Sequence, residues 1–257
     1  MAGKLDGKVA VVTGAGSGIG AAAAMVFAAE GAAVAALDVD VDGAEETAAK
    51  VRAGGSPGLA VRVNVADPGE VAAAMDAVAA EFGRLDVLYN NAGVDSKGSV
   101  VEADEADWDR CFAVNVKGTY LCSKAAVPLI ERSGGGAIVN QGSVAALVAV
   151  PHFAAYCAAK GAVVALTRSM AVDLAPKRIR VNALCPGSVL TPFIEPLLRA
   201  RGGGDLDTGI AATVTKYPIG RLGSPEEIAR VALFLASEDA AFLTGSIIVA
   251  DGGMTSV

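Results

Sequence analysis

Histidine occurs once in this chain of 257 residues, tryptophan once, and aromatic residues together make up only 5%. One histidine leaves no set from which a histidine-rich metal centre could be built. The four cysteines, Cys111, Cys122, Cys157 and Cys185, form no C-x-x-C pair. They therefore read as small apolar residues rather than as metal ligands or a redox dithiol, and no metal is expected. Basic residues are outnumbered, 21 Lys and Arg against 28 Asp and Glu, leaving a formal net charge of −7. Such a surface repels nucleic acid and anionic membrane. No apolar run reaches the ~20 residues of a membrane span. The opening MAGKLDGKVAVVTG is interrupted by charge and does not read as a signal peptide. The expectation is a cytoplasmic protein acting on a small molecule, with no nucleic-acid or membrane partner.

What is abundant is small and apolar: 53% of residues are hydrophobic and 31 are glycine. Alanine and valine suit helices packed closely on a sheet buried on both faces. Short apolar runs alternate with amphipathic stretches. Strands are predicted at 8–14, 32–38, 58–65, 85–93, 136–143, 178–187 and 245–253. Helices are predicted at 18–30, 42–53, 67–82, 105–132, 153–175 and 224–237. Asp67-Pro68-Gly69-Glu70 and Ser224-Pro225-Glu226-Glu227 carry helix-start signals. Seven strands alternating with helices predict a single-domain α/β fold spanning 1–257, a doubly wound parallel sheet of Rossmann type. The pattern lapses over 188–223, which reads as a substrate-binding loop or lid.

Thr13-Gly14-Ala15-Gly16-Ser17-Gly18-Ile19-Gly20 follows the first strand and opens the first helix. Glycines there let the backbone approach a pyrophosphate, which the free N–H groups of a helix start would bind. Asp38, at the end of the second strand, is placed to bond ribose hydroxyls and to repel a 2′-phosphate, so NAD is the expected cofactor. Tyr156 and Lys160 are four residues apart, on one helix face. An ammonium beside a phenol favours the phenolate, so Lys160 is expected to lower the pKa of Tyr156.

The T-G-x-x-x-G-x-G run, Asn90-Asn91-Ala92-Gly93, Ser143, Tyr156-x-x-x-Lys160 and Pro186-Gly187 stand in that order. Together they resemble the short-chain dehydrogenase/reductase family over essentially the whole chain. The resemblance implies a secondary alcohol/ketone oxidoreductase with Tyr156 as general acid/base, assisted by Lys160. It implies that Ser143 bonds the substrate oxygen and that Asn115 holds a proton-relay water. Gly14, Ser17, Gly18, Ile19, Gly20, Asp38, Asn64, Val65, Asn91, Ala92, Gly93, Pro186, Gly187, Val189 and Thr191 would join Tyr156 and Lys160 around the cofactor. Asn64-Val65 departs from the Asp-Val of many relatives, which affects the adenine contact. A homotetramer, or else a dimer, built through the two helices that flank the fifth strand is also implied, the homotetramer being the expectation.

The substrate is less defined. Val144, His152, Phe153, Val189, Phe193 and Ile194 are pocket candidates, with Tyr156 and Ser143 at the reacting end. His152 either contacts a polar substrate or is a passive loop residue. Arg201 either holds a carboxylate, which suits its planar fork, or is a solvated lid residue. The stretch PGSVLTPFIEPLLRARGG looks like the matching loop of hydroxybutyrate and sugar-acid dehydrogenases of this family. A small hydroxy acid, a polyol or a cyclic alcohol is expected. The alternatives are a 3-oxoacyl-carrier-protein reductase and a non-catalytic nucleotide-binding protein.

Overall fold

Alternate side chains of the first strand enter two different hydrophobic cores. Ala10 and Val12 join one, Val9 and Val11 the other, as the two-residue period of a strand buried on both faces requires. The computed structural model describes residues 2–257. Its seven strands are β1 (Val9–Thr13), β2 (Ala33–Asp38), β3 (Gly58–Arg62), β4 (Val87–Asn90), β5 (Gly136–Gln141), β6 (Ile179–Pro186) and β7 (Ile247–Ala250). All pair in parallel, in the order β3-β2-β1-β4-β5-β6-β7. The order reverses between β1 and β4, so the C-terminal ends of the strands part there and open a crevice.

Helices α1 (Gly18–Ala29), α2 (Val41–Ala53) and α9 (Pro225–Ala236) cover one face; α3 (Pro68–Phe82), α5 (Gly118–Arg132) and α6 (Ala154–Leu174) cover the other. Both predicted helix starts form. Asp67 accepts from the N–H groups of Gly69 and Glu70, and Ser224 and Glu227 make a reciprocal capping box.

Three expectations need correction. The strand predicted over 58–65 stops at Arg62, because the Glu70 carboxylate takes the Asn64 N–H at 2.8 Å and turns the chain. The strand predicted over 85–93 stops at Asn90, because the Asn91 and Ala92 N–H groups leave the ladder for the Thr13 hydroxyl. The helix predicted over 105–132 is not uniform. It comprises α4 (Glu105–Phe112), a π-helical turn over Ala113–Lys117, and α5. The lid segment also contains regular structure, α7 (Glu195–Arg201) and α8 (Leu206–Val214). Their backbones touch: a Cβ built on Gly209 would lie 1.8 Å from the Leu198 carbonyl oxygen. Helices this short carry too few turns for a clear sequence period.

Candidate active site

A cleft of about 670 Å³ follows the crevice, with the glycine loop at one end and Tyr156 and the lid at the other. In the loop, Gly14 and Gly18 have φ of 66° and 53°, the left-handed region open to glycine. A Cβ on Gly20 would stand 2.0 Å from the Gly14 carbonyl oxygen, so this glycine lets α1 begin directly beneath the loop. The Asn91 amide donates to the Thr13 and Gly14 carbonyls at 3.0 and 3.1 Å, bracing the loop from β4. Ser17 precedes α1 without using its side chain as a cap. The helix start, with its partial positive charge, therefore faces the cleft as an anion site. Asp38 accepts from the Gly16 N–H at 2.8 Å and the Asp40 N–H at 3.0 Å, which fixes its carboxylate beside the loop. Thr191 approaches from the lid side; a Cβ on Gly18 would meet its methyl group at 3.2 Å. This cradle fits a dinucleotide: positive-φ glycines, a free helix start and a fixed carboxylate lie in one groove.

At the other end, Ser143 follows β5 and Tyr156 and Lys160 stand on α6. Phe153 and Phe193 flank the Tyr156 ring, each with its centroid 6.3 Å away. Tyr156 is half-buried, and desolvation pushes its phenol well above the ordinary tyrosine range. The Ser143 hydroxyl acts the other way, and Cys111, Asp95 and Cys157 add to the rise. Lys160 is buried, and desolvation pushes its pKa down to about 8. Its Nζ lies 5.6 Å from the Tyr156 ring centre and donates to the Gln141 carbonyl at 2.9 Å. The expected lowering of the tyrosine pKa by Lys160 is therefore not met in the protein alone: burial raises it, and the ammonium hydrogen-bonds the backbone, not the phenol.

Asn115 lies in the π-helical turn and is buried. Its Nδ2 donates to the carbonyls of Val94 and Cys111 at 2.8 and 2.9 Å and approaches the Cys111 Sγ at 3.3 Å. Those contacts fix the amide, leaving Oδ1 buried without a protein partner. A Cβ on Gly93 would lie 2.7 Å from that Oδ1 and 3.5 Å from the Lys160 Nζ, so all three meet in one small space. A π-turn widens the helix locally, which is how a mid-helix asparagine reaches this cluster.

The cleft gathers Gly14, Ser17, Gly18, Ile19, Asp38, Asn64, Val65, Asn91, Ala92, Gly93, Ser143, Phe153, Tyr156, Lys160, Pro186, Gly187, Val189, Thr191, Phe193 and Arg201. Gly20 and Asn115 lie behind it. His152 is not brought to it. Its φ is 60°, and its exposed ring pairs with Glu102 at 3.2 Å, so the substrate contact weighed for it has no support in this geometry. Several residues escaped the sequence reading. Thr13 and Gln141 hold the loop and the lysine through a hydroxyl and a backbone carbonyl. The Tyr217 hydroxyl accepts from the Ser188 N–H at 2.7 Å and ties the far part of the lid back to its start after β6. Asp95 and Lys216 line the cleft. Thr13 opens the T-G-x-x-x-G-x-G run, but its hydroxyl contacts do not follow from that spacing, and no spacing rule marks the others.

The family described as enoyl-(acyl carrier protein) reductase matches residues 14–255. The chain is 45% identical to 2-(S)-hydroxypropyl-CoM dehydrogenase 3 of Xanthobacter autotrophicus, covering all of both chains. It is 45% identical to cis-4-hydroxycyclohexanecarboxylate dehydrogenase of Sinomonas cyclohexanicum, over 97% of each chain. Among solved structures, a short-chain type dehydrogenase/reductase from Mycobacterium marinum superposes with a TM-score of 0.92 at 35% identity, over 98% of this chain and 97% of that one. Family members of this kind use nicotinamide cofactors on CH–OH groups. By sequence and by fold, the chain belongs to the short-chain dehydrogenase/reductase family and is an oxidoreductase interconverting alcohol and ketone.

Proposed function

We propose that the protein is an NAD-dependent dehydrogenase of secondary alcohols, with Tyr156 as its general acid/base. Asp38 is the observation that carries the cofactor assignment. Its carboxylate, held by two backbone N–H groups, retains lone pairs for ribose hydroxyls and opposes a 2′-phosphate. No basic side chain stands at Ser17 or Val39, the cleft positions around it.

A nicotinamide cofactor held by the glycine loop and Asp38 would supply the hydride acceptor or donor. The chain supplies the rest. Ser143 orients the substrate oxygen toward Tyr156, whose phenolate takes the hydroxyl proton in oxidation and returns it in reduction. Lys160 holds positive charge at the site, and the unpaired Asn115 Oδ1 offers a water an acceptor beside it. Phe153 and Phe193 exclude solvent from the reacting atoms. The substrate is a hydroxy acid, a polyol or a cyclic alcohol. The cytoplasm is the proposed location, in keeping with the absence, among the described residues, of a helix long and apolar enough to cross a membrane. A homotetramer through the 105–132 run and α6 is proposed as well; Trp108 and Tyr120 on that run are exposed.

The test is cofactor reduction with NAD and NADP against a panel of secondary alcohols. Reduction of NAD at least about a hundredfold more efficient than of NADP is expected. Asp38→Ala, which removes the opposing charge, should narrow that gap. A preference for NADP in the native enzyme would reject the assignment and favour the 3-oxoacyl-carrier-protein reductase reading.

A further inference from the structure

Four cations line the cleft: Arg110, Lys160, Arg201 and Lys216. Lys160 belongs to the catalytic cluster. Arg110 is committed elsewhere, donating twice to Asp107 and once to the Asp95 carbonyl. Arg201 and Lys216 differ, since neither is ion-paired among the described residues. The contrast within α7 is direct: Arg199 donates through two nitrogens to Glu195, at 2.9 and 2.7 Å, whereas Arg201, two residues later, has no carboxylate. Arg201 donates instead to the Thr213 hydroxyl at 3.2 Å. Thr213 is buried, lines the same cleft and donates its own hydrogen bond to the Gly209 carbonyl at 2.8 Å. One guanidinium nitrogen is thus pinned to the inner side of the lid, and most of its donors remain free. Lys216 follows Thr213 by one turn and lines the cleft too.

We propose that Arg201 and Lys216, arranged around Thr213, form an oxyanion subsite of the lid. Its ligand is a carboxylate carried by the substrate at a distance from its reacting hydroxyl. The proposal rests on the alcohol–ketone reading above and selects hydroxy acids from the three substrate classes named there. In a chain of net charge −7, two uncompensated cations at one cleft make a local field that draws in anions the rest of the surface repels. A guanidinium fork with free donors matches a carboxylate. Two carboxylates line the cleft as well. Asp38 lies at the far, dinucleotide end. Asp95 acts on Tyr156, at the reacting end, where it disfavours a second anion. The charge order along the cleft therefore assigns the substrate's anion to the lid and its hydroxyl to Tyr156.

Calorimetry on the protein saturated with NAD tests this, using cyclohexanecarboxylate and its neutral isostere cyclohexanecarboxamide. The acid should bind about tenfold tighter or more, with the preference shrinking as salt is raised. In the Arg201→Gln, Lys216→Gln double variant the preference should fall to near unity. Both positions are exposed, and circular dichroism checks the fold. Equal binding of acid and amide by the native protein, or an unchanged preference in the double variant, would overturn the subsite. Turnover of 4-hydroxycyclohexanecarboxylate and its amide separates the two readings. Acid preference in binding without turnover of any alcohol sinks the dehydrogenase reading and leaves the subsite. Turnover of both at equal efficiency, with equal binding, sinks the subsite alone.

Discussion

The Lys160 ammonium stands 5.6 Å from the centre of the Tyr156 ring and directs its hydrogen bond to the Gln141 carbonyl, 2.9 Å away. The lysine is thereby anchored to β5, and the charge it keeps is costly. Burial lowers its pKa from 10.5 to about 8. The folded-state value lies below the unfolded one, so between these pH values the unfolded chain holds a proton that the folded chain releases. This group's penalty is full below about pH 8 and is relieved as pH rises toward 10.5. The unfolding free energy of the native protein minus that of Lys160→Met should therefore rise with pH across that window, by up to roughly 3 kcal/mol. Denaturant titrations at pH 7.5, 9 and 10.5 measure it; a flat or falling difference contradicts the burial argument.

Asp95 lines the cleft and acts on Tyr156. Burial is the main cause of the raised phenol pKa, and the nearby Asp95 charge adds to it. In the proposed mechanism alcohol oxidation needs the phenolate, so its rate climbs with pH until the phenol has ionised. Removing a negative charge makes the phenolate easier to form. Asp95→Asn should shift the acidic limb of kcat/KM for oxidation to lower pH, by about half a unit. Asp107→Asn, in contact with Arg110, is a control that should leave the limb in place.

The glycine loop, Asp38 and the Tyr156–Lys160 pair were legible because each depends on local spacing: a strand, a turn and a helix face. The seven-stranded topology was legible because alternation of short apolar runs with helices leaves few other arrangements. The lid helices were not, since seven and nine residues give little period to detect. Nor was the π-turn, whose residues Ala113–Lys117 carry no distinctive composition. Gln141 and Tyr217 act through a main-chain carbonyl and a long-range contact, and the contacts of the Thr13 hydroxyl are not fixed by its place in the glycine motif. Such roles depend on tertiary position and leave no mark on neighbouring residues. The single histidine, His152, has a left-handed backbone that turns it out to Glu102, which nothing in its neighbouring residues indicates.

Tyr156→Phe removes one oxygen and keeps the ring between Phe153 and Phe193. The dinucleotide cradle is at the other end of the cleft. NADH affinity, read by fluorescence titration, should stay within about twofold, while kcat falls about a thousandfold, within the range for loss of a general acid/base. Retained kcat would remove Tyr156 from the mechanism.

Two glycines near Lys160 should respond oppositely to the same methyl group. A Cβ on Gly93 falls 2.7 Å from the Asn115 Oδ1, and that amide is held by the Val94 and Cys111 carbonyls and cannot easily turn away. Gly93→Ala should thus displace Asn115 or Lys160. A loss of ~1–3 kcal/mol in stability is expected, with a fall of at least about tenfold in kcat. Gly161 follows Lys160 on α6, where a Cβ would meet nothing within 4 Å of it in the single chain and φ is ordinary for a helix. Gly161→Ala should stabilise the fold by about 0.5–1 kcal/mol through helix propensity alone. A rise in Tm for Gly161→Ala beside a fall for Gly93→Ala would tie the Gly93 effect to the Asn115 amide. If Gly161→Ala instead lowers Tm and dissociates an oligomer in light scattering, α6 is packed against a second copy of the chain at that residue.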